Sequence, residues 1–521
     1  MAITEPSQAL PPGTSYLNET QHSSSSISKP STDPDDPLNW VRWRKRLNIS
    51  LMLSFVFTTG IGGTAIYSVL DPISQDTGMT IGQLVTGTGY LFLFSGWGNL
   101  IWQPLALTFG RRPTIIFSLI GAIAASEWTA WLSEFPSWVA ARCLYGFVVA
   151  PMLVLPEICI PDLFSDKERG TYIAWYMLVL CGSNFLAPLI AGFLSDAYGW
   201  RWVQHGSAIL LSLDLLLVLC LYEETMYSHK LIEADDLEEM PRNLFQTSAE
   251  PNEAQSERQR RTPTARQFWK NLRLFSYSGL SLQQALTIAY RPVLILFRFP
   301  NITWASFMYG SALAWFNVYN ATTSSILSAQ PYNFPASTVG LTYVAPLIGT
   351  AIAGVVSGPI ADWSALRLAR RFNNLREPEY RLWGLVIFCL LMPTGLLLWG
   401  LGAAFHLHWA ILLFGSILCG YCNVAGGSYA IAYAVDCFRE LAGETIVSMI
   451  LCRNTMAFAF NYAITPWINA QGLQNTFIAV SVLSCAIGCT FLLMIWKGKQ
   501  LRAASAERYW RYVATQAIEH P

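Results

Sequence analysis

Charge is what this sequence has least of. Only 13% of its 521 residues are Asp, Glu, Lys or Arg, while 53% are hydrophobic. A soluble domain carries about 25% charged residues, so a soluble fold is excluded. The few charges are also unevenly placed. Runs of roughly 20 residues with little or no charge recur along the chain, each long enough to cross a bilayer as a helix. A phosphate-cradling G-x-x-x-x-G-K loop is missing, which excludes direct drive by ATP. The 6 histidines are scattered, and neither a metal cluster nor a nucleophile triad forms. Neither an enzyme nor a cofactor is expected, and nothing points to nucleic acid. The 11 cysteines lie in or at the ends of apolar runs, which leaves no external disulfide framework. Cys419 and Cys422 form a CxxC inside such a run and read as small packing residues.

What is present is a row of apolar spans. Residues 1–46, with "SSSS" and "DPDDPLNW", read as a mostly disordered tail. The first apolar run is too long for a cleavable signal core and follows Arg42, Arg44, Lys45 and Arg46, so it reads as a retained first span. Six spans are expected near 47–70, 83–105, 113–132, 137–160, 171–194 and 202–222. Six more are expected near 299–321, 335–361, 381–402, 409–435, 444–469 and 473–496. The organisation is therefore a tail (1–46), a first half (47–222), a polar central loop (223–298), a second half (299–496) and a C-terminal tail (497–521). Within the central loop, "FWKNLRLF" at 268–275 has the pattern of a short segment lying flat on the membrane.

Placing the N-terminus in the cytoplasm puts Arg111, Arg112, Lys167, Arg169, Arg367 to Arg376, Arg439, Lys497, Lys499 and Arg502 inside, and leaves Arg201 as the outer basic residue. That asymmetry follows the positive-inside rule, with both termini cytoplasmic. The halves also repeat. "PDLFSDKERGTY" after span four answers "VDCFRELAGETI" after span ten, aligning Asp162 with Asp436, and "FGRRP" after span two answers "LARRF" after span eight. Six-span repeats, each split three plus three, describe one large transporter architecture with a substrate site near the midplane.

Several stretches carry a family resemblance: "GRRP" (110–113), "RCLYG" (142–146), "DLFSDKERG" (162–170), Ala187-Pro188 followed by "GWRW" (199–202), "YEETMY" (222–227), "REPEYRLW" (376–383) and "RNTMAFAFNYAITPWI" (453–468). In this order the chain resembles the major facilitator superfamily, and more narrowly its fungal twelve-span drug:proton antiporter group, with a branch of polyamine and cation transporters. The resemblance implies an all-α membrane protein of the major facilitator fold, with 12 transmembrane helices in two six-helix halves. It also implies that spans one, four, seven and ten line the cavity.

The sequence departs from the family pattern in places. The acid usual in the loop between spans two and three is absent, its position being Leu107, whereas Asp362 in "GPIADW" supplies one in the second half. The resemblance makes Gly110, Arg111, Arg112, Asp162, Arg169 and Asp362 a cytoplasmic gate, with Glu168 or helix C-termini as partners of the arginines. The same arginines also serve topology. The span-five antiporter motif appears loosened as "APLIAG", so Ala187, Pro188 and Gly192 mark a bend that still permits close helix approach.

Charges inside lipid cost roughly 2.5–3.5 kcal/mol each and are functional candidates. Arg142 in span four matches the family's proton-coupling arginine. Asp71 and Glu127 lie at similar depth, and the three suggest a proton-linked cluster; a plain ion pair between helices is the alternative. Asp214, mid-span six, is either a proton carrier or a side chain bonded to a neighbouring helix. Asn184, Trp315, Tyr319, Tyr421, Asn423 and Asn454 are candidates for the substrate cavity, the aromatics suiting apolar or cationic guests. Arg453, beside Asn454, is expected to snorkel towards the cytoplasm. Asn320-Ala-Thr is a candidate N-glycosylation sequon, while Asn18-Glu-Thr falls on the cytoplasmic side.

The expected function is proton-coupled efflux of drugs, toxins or secondary metabolites by alternating access. Polyamine or organic-cation transport is the alternative, and a non-transporting sensor a further one. The expected partners are protons, a small-molecule substrate and the bilayer, with the chain a monomer in the plasma membrane.

Overall fold

The computed structural model describes residues 11–16, 36–164, 166–226, 273, 275, 277, 281–372 and 374–519. Most of "EADDLEEMPR", "NEAQSERQRR" and "FWKNLRLF", and the Asn18 sequon, lie outside the described residues.

The chain is built almost wholly of helices, as lipid demands of a backbone that cannot hydrogen-bond to water. The first half comprises α1 (Arg42–Thr64), α2 (Leu70–Thr77), α3 (Ile81–Phe109), α4 (Arg111–Ala130), α5 (Phe135–Val149), α6 (Leu155–Leu163), α7 (Asp166–Tyr198) and α8 (Trp200–Leu221). The second comprises α9 (Leu282–Arg298), α10 (Pro300–Ser328), α11 (Ala336–Thr342), α12 (Val344–Arg371), α13 (Leu385–Ala404), α14 (Trp409–Cys437), α15 (Ala442–Cys489) and α16 (Phe491–Glu519). Nine stretches among the described residues are long and apolar enough to cross a membrane. One of them, 439–514, holds two passes hinged at Gly472. The less apolar α3 and α10 are of full spanning length. Twelve passes result, with α5 and α6 forming one broken pass and α11 and α12 another.

The halves meet through small residues. On the side away from the termini, a Cβ on Gly192 of α7 would stand 2.3 Å from the Ala336 carbonyl oxygen of α11, and one on Gly340 2.6 Å from that of Pro188. Asp196 caps this contact by accepting from the Ser337 N–H at 2.9 Å. So the "APLIAG" bend is where α7 closes on α11. A second seam runs along α3 and α15, where Gly82 abuts Thr465, Gly89 abuts Asn461 and Gly96 abuts Asn454. Towards the termini, Val447 and Ile450 of α15 join the buried core of the first half.

Two expectations are corrected here. The tail is not uniformly disordered: Ser15–Tyr16 form β1, which pairs antiparallel with β2 (Leu375–Arg376) on the second half. Gly13, at φ +81°, turns the chain so tightly that any Cβ would meet the Asp436 carbonyl. Arg502 holds the segment by donating to the Pro12 carbonyl and, at 3.0 Å, to Thr14 Oγ1. The polar stretch 223–298 is not all loop either. It ends in α9, opened by a Ser281–Gln284 capping box. Its Arg291 and Arg298 hid an amphipathic helix from a search for uncharged spans.

Two predictions follow from this packing. Gly192→Leu overpacks the α7–α11 contact at a cost of about 1–3 kcal/mol. It should increase labelling of a cysteine placed at Ser337 from the side away from the termini; unchanged labelling would show that the contact is no gate. Arg502 makes a two-armed pair with Glu379 at 2.9 and 2.7 Å, both side chains buried. Arg502→Met strands the carboxylate and should lower stability by about 3–5 kcal/mol, read as a fall in the melting temperature in detergent.

Candidate functional site

Three groups of polar residues are arranged along the pass direction. The first lies on the termini side. Arg111 pairs with Asp162 at 3.1 Å, and Glu224 accepts from the backbone N–H groups of Arg111 and Arg112, both at 3.0 Å. A carboxylate at the first turn of α4 complements the positive end of its helix dipole. Gly110, at φ +112°, makes room, since a Cβ there would meet the Glu224 carboxylate. Arg112 reaches back to the Leu219 carbonyl at 2.7 Å. In the second half, Arg381 bridges Asp362 at 2.9 Å and Asp436 at 3.0 Å. Of the expected gate residues, Gly110, Arg111, Arg112 and Asp162 come together in the first half and Asp362 stands apart with Arg381 in the second, while Arg169 is partly buried near the first set in sequence at the start of α7. However, these ion pairs form within each half and do not latch one half to the other. Asp162 and Glu224 are the acids that meet the arginine pair here, and the Leu219 carbonyl supplies the helix C-terminus that was the other expected partner. Arg381, not the Arg370–Arg371 pair, answers Arg111 in the repeat, because it is the guanidinium that meets Asp436.

The second group is the expected coupling set, and the structure does not assemble it. Arg142 is 1% exposed and lies over the Trp138 ring at 5.0 Å. Its Nε and Nη2 have no hydrogen-bond partner; its electrostatic neighbours are Tyr67 and Tyr145, not an acid. Asp71 accepts from Gln75 at 2.8 Å. Glu127 pairs with His205 at 3.0 Å near the outer end of α8. Asp214 is buried and accepts from Ser54 at 2.6 Å and Thr58 at 3.1 Å on α1. That is the neighbouring-helix bond left open above. It ties α8 to α1, with two hydroxyls satisfying the carboxyl group.

The third group brings the halves together, and the sequence reading missed most of it. Arg453 of α15 donates to the Tyr309 hydroxyl of α10 at 2.5 Å and lies 4.9 Å from that ring's centroid. It therefore does not snorkel. Glu157 of α6 and Tyr176 and Cys181 of α7 lie within reach of its charge, Glu157 without a hydrogen bond or ion pair to it among the described residues. Glu157 is half-buried, as Arg453 is. Counted along their helices, Glu157, Tyr309, Tyr176 and Arg453 lie about 9–17 Å from the termini-side ends. The acid comes from one half and the base from the other. The signal was in the sequence: Glu157 is the lone acid of span four, between Pro156 and Pro161, and the rule applied to Glu127 and Asp214 applies equally to it.

The expected cavity residues divide. Asn454 accepts from Arg453 Nε at 3.2 Å and so borders this group. Asn184 and Asn423 are partly buried. Trp315 and Tyr319 are fully buried, packed edge-on against Phe460 at 4.8 Å and Trp399 at 4.6 Å, and Tyr421 is buried too. These three belong to the packing of the second half, not to an open wall. Asn320 is buried within α10, which removes it as a glycosylation site.

Known proteins resemble this chain along most of its length. The chain is 26% identical to an uncharacterized MFS-type transporter of Schizosaccharomyces pombe, covering 93% of this chain and 89% of that one. It is 24% identical to Protein HOL1 of Saccharomyces cerevisiae, covering 97% and 95%. It is 25% identical to the multidrug transporter FLU1 of Candida albicans, covering 91% and 74%. The crystal structure of the human organic anion transporter MFSD10 superposes with a TM-score of 0.53 at 14% identity, over 86% of this chain and 99% of that one, a likeness of fold. The Major Facilitator Superfamily profile matches residues 52–392, and with its two six-pass halves the chain belongs to that superfamily of membrane transporters.

Proposed function

We propose that this protein exports small organic compounds in exchange for protons, with Glu157 as the exchange site. The observation that carries this is the Glu157–Arg453–Tyr309 group, built from both halves around a half-buried carboxylate. A carboxylate inside lipid is costly, so it is neutralised by a proton, by Arg453 or by a cationic guest. Proton and guest then compete for one oxygen pair, which is the condition for antiport. The partly exposed Tyr309 ring offers a π face to an apolar or cationic guest. Because the acid and the base sit on different halves, neutralising Glu157 weakens an attraction across the seam. Rocking of the halves thereby becomes dependent on occupancy.

Arg142 acts in this reading as a fixed positive charge that keeps protons from passing on the outer side of Glu157. Glu127 and Asp214 tie helices together within the first half, and Asp71 bonds within α2. The Arg111–Asp162 and Arg381–Asp362 sets steady the termini face, which by its basic residues is the cytoplasmic one. The plasma membrane is the proposed location and a monomer the working unit. The carboxylate favours a second reading, transport of polyamines or other organic cations, over transport of anions.

The test uses the protein in liposomes with a pH-sensitive dye trapped inside. Candidate compounds, from spermidine to hydrophobic drugs, are added against an imposed proton gradient. Glu157→Gln should abolish gradient dissipation while labelled compound still equilibrates. The proton dependence of substrate affinity, roughly 5–150-fold for a coupled pair of sites, should vanish with it. Coupled flux that survives in Glu157→Gln would overturn the assignment. Arg142→Gln should leave binding intact and raise the proton leak in the absence of substrate; a leak equal to that of the native protein would remove the role given to Arg142.

A further inference from the structure

A second polar cavity lies outside the transport path. It is enclosed by α9 and the C-terminal helix α16, has a volume of about 570 Å³, and is lined by Tyr290, Arg291, Arg298, Arg508, Arg511 and Tyr512. That volume falls in the range of small-ligand pockets, about 300–1,000 Å³. Arg291 is buried, with Glu444 at 3.6 Å, and Arg511 pairs with Glu507. Arg298 donates to the Tyr512 hydroxyl at 2.8 Å. Arg298 and Arg508 have no carboxylate at ion-pair distance among the described residues. Four guanidiniums thus converge on one small volume, a donor set whose planar forks match phosphate oxygens.

The depth of the cavity is fixed by its neighbours. Phe299, where α9 passes into the membrane helix α10, packs on Tyr512 at 6.0 Å and on Phe438 at 4.9 Å. The cavity therefore sits where the passes begin. On α9, Leu282, Leu286, Tyr290 and Phe297 are all exposed. At 100° per residue they fall within about 80° of the helix circumference. An exposed apolar stripe beside a basic face marks a helix lying in the membrane–water interface.

We propose that this cavity binds the phosphomonoester headgroup of an anionic membrane phospholipid, its acyl chains running along the apolar stripe of α9. A freely soluble organic phosphate offers the same charge but has no use for the stripe. The site is connected to the moving parts. Pro292 of α9 accepts from Ser448 of α15 at 2.7 Å, α9 also packs on α3 of the other half, and it leads directly into the helix that carries Tyr309. A lipid seated here braces a helix that touches both halves.

The experiment measures binding of a fluorescent short-chain phosphatidylinositol monophosphate to the full chain purified in detergent. Short-chain phosphatidylcholine and the free inositol phosphate headgroup are the competitors. The phosphorylated lipid is expected to bind and phosphatidylcholine to leave it in place. Each arginine removed should weaken binding roughly fivefold, so Arg298→Gln with Arg508→Gln should weaken it roughly 25-fold. Both residues are exposed, so the melting temperature of the lipid-free protein should be unchanged, which separates a lost site from a lost fold. Unaltered affinity in the double variant, or displacement by phosphatidylcholine, would overturn the proposal. Equal affinity for the free headgroup would overturn the lipid as its source.

Discussion

A charge inside a bilayer must find a partner, find water or give up its proton, and that constraint arranges this molecule. Most of its charged side chains are driven to the helix ends. There they do not simply face solvent but form pairs: Arg44 with Glu223, Arg111 with Asp162, Arg381 with Asp362 and Asp436, and Arg502 with Glu379. Each pair ties one helix end to another within its half. The halves become stiff bodies, and the glycine seams between them, free of ion pairs in the contacts described, become the surfaces that can part. Stiff halves with separable seams are what a rocking transporter needs, and both follow from where charge is tolerated.

The charges that stay inside are then the informative ones. Asp214 is satisfied by two hydroxyls on α1, and Arg142 lies over an indole with two of its nitrogens unpartnered, yet each has its neighbours within one half. Glu157 and Arg453 differ because they come from opposite halves and retain some exposure. A group shared between moving bodies changes its surroundings as they move, and that is the physical basis for giving it the coupling role.

Much of the fold was legible because lipid enforces a simple rule. The twelve spans are runs with little or no charge, and α8 and α14 begin or end within a few residues of the expected limits. The termini-side charges were legible as residue types, since Arg111 and Asp162 stand at helix ends where charge belongs, while Asp362 lies further inside α12. Their partners were not. Glu224 lies in the extended stretch after α8 and Arg381 in the tight helical turn that opens its span, where spacing carries no periodic signal, and only folding shows which acid meets which arginine. α9 escaped because two arginines on one face defeat a search for uncharged runs, although its Ser281–Gln284 cap was readable. Trp315 and Tyr319 misled for the converse reason. An aromatic stripe at helical spacing has the same pattern whether it faces a cavity or a core, and here Phe460 and Trp399 cover it.

The docked segment 11–16 changes how the two halves are joined. The chain passes from the first half to the second through the central stretch, and the tail that precedes α1 reaches forward to the second half again through β1, Gly13 and the Arg502 contacts. The halves are therefore linked twice, once by covalent continuity and once by a clasp. If the central stretch were cut, each fragment would keep its own six passes, and the first would still carry the hook that fits the second. Joining by the main chain and joining by recognition are, in this molecule, separable.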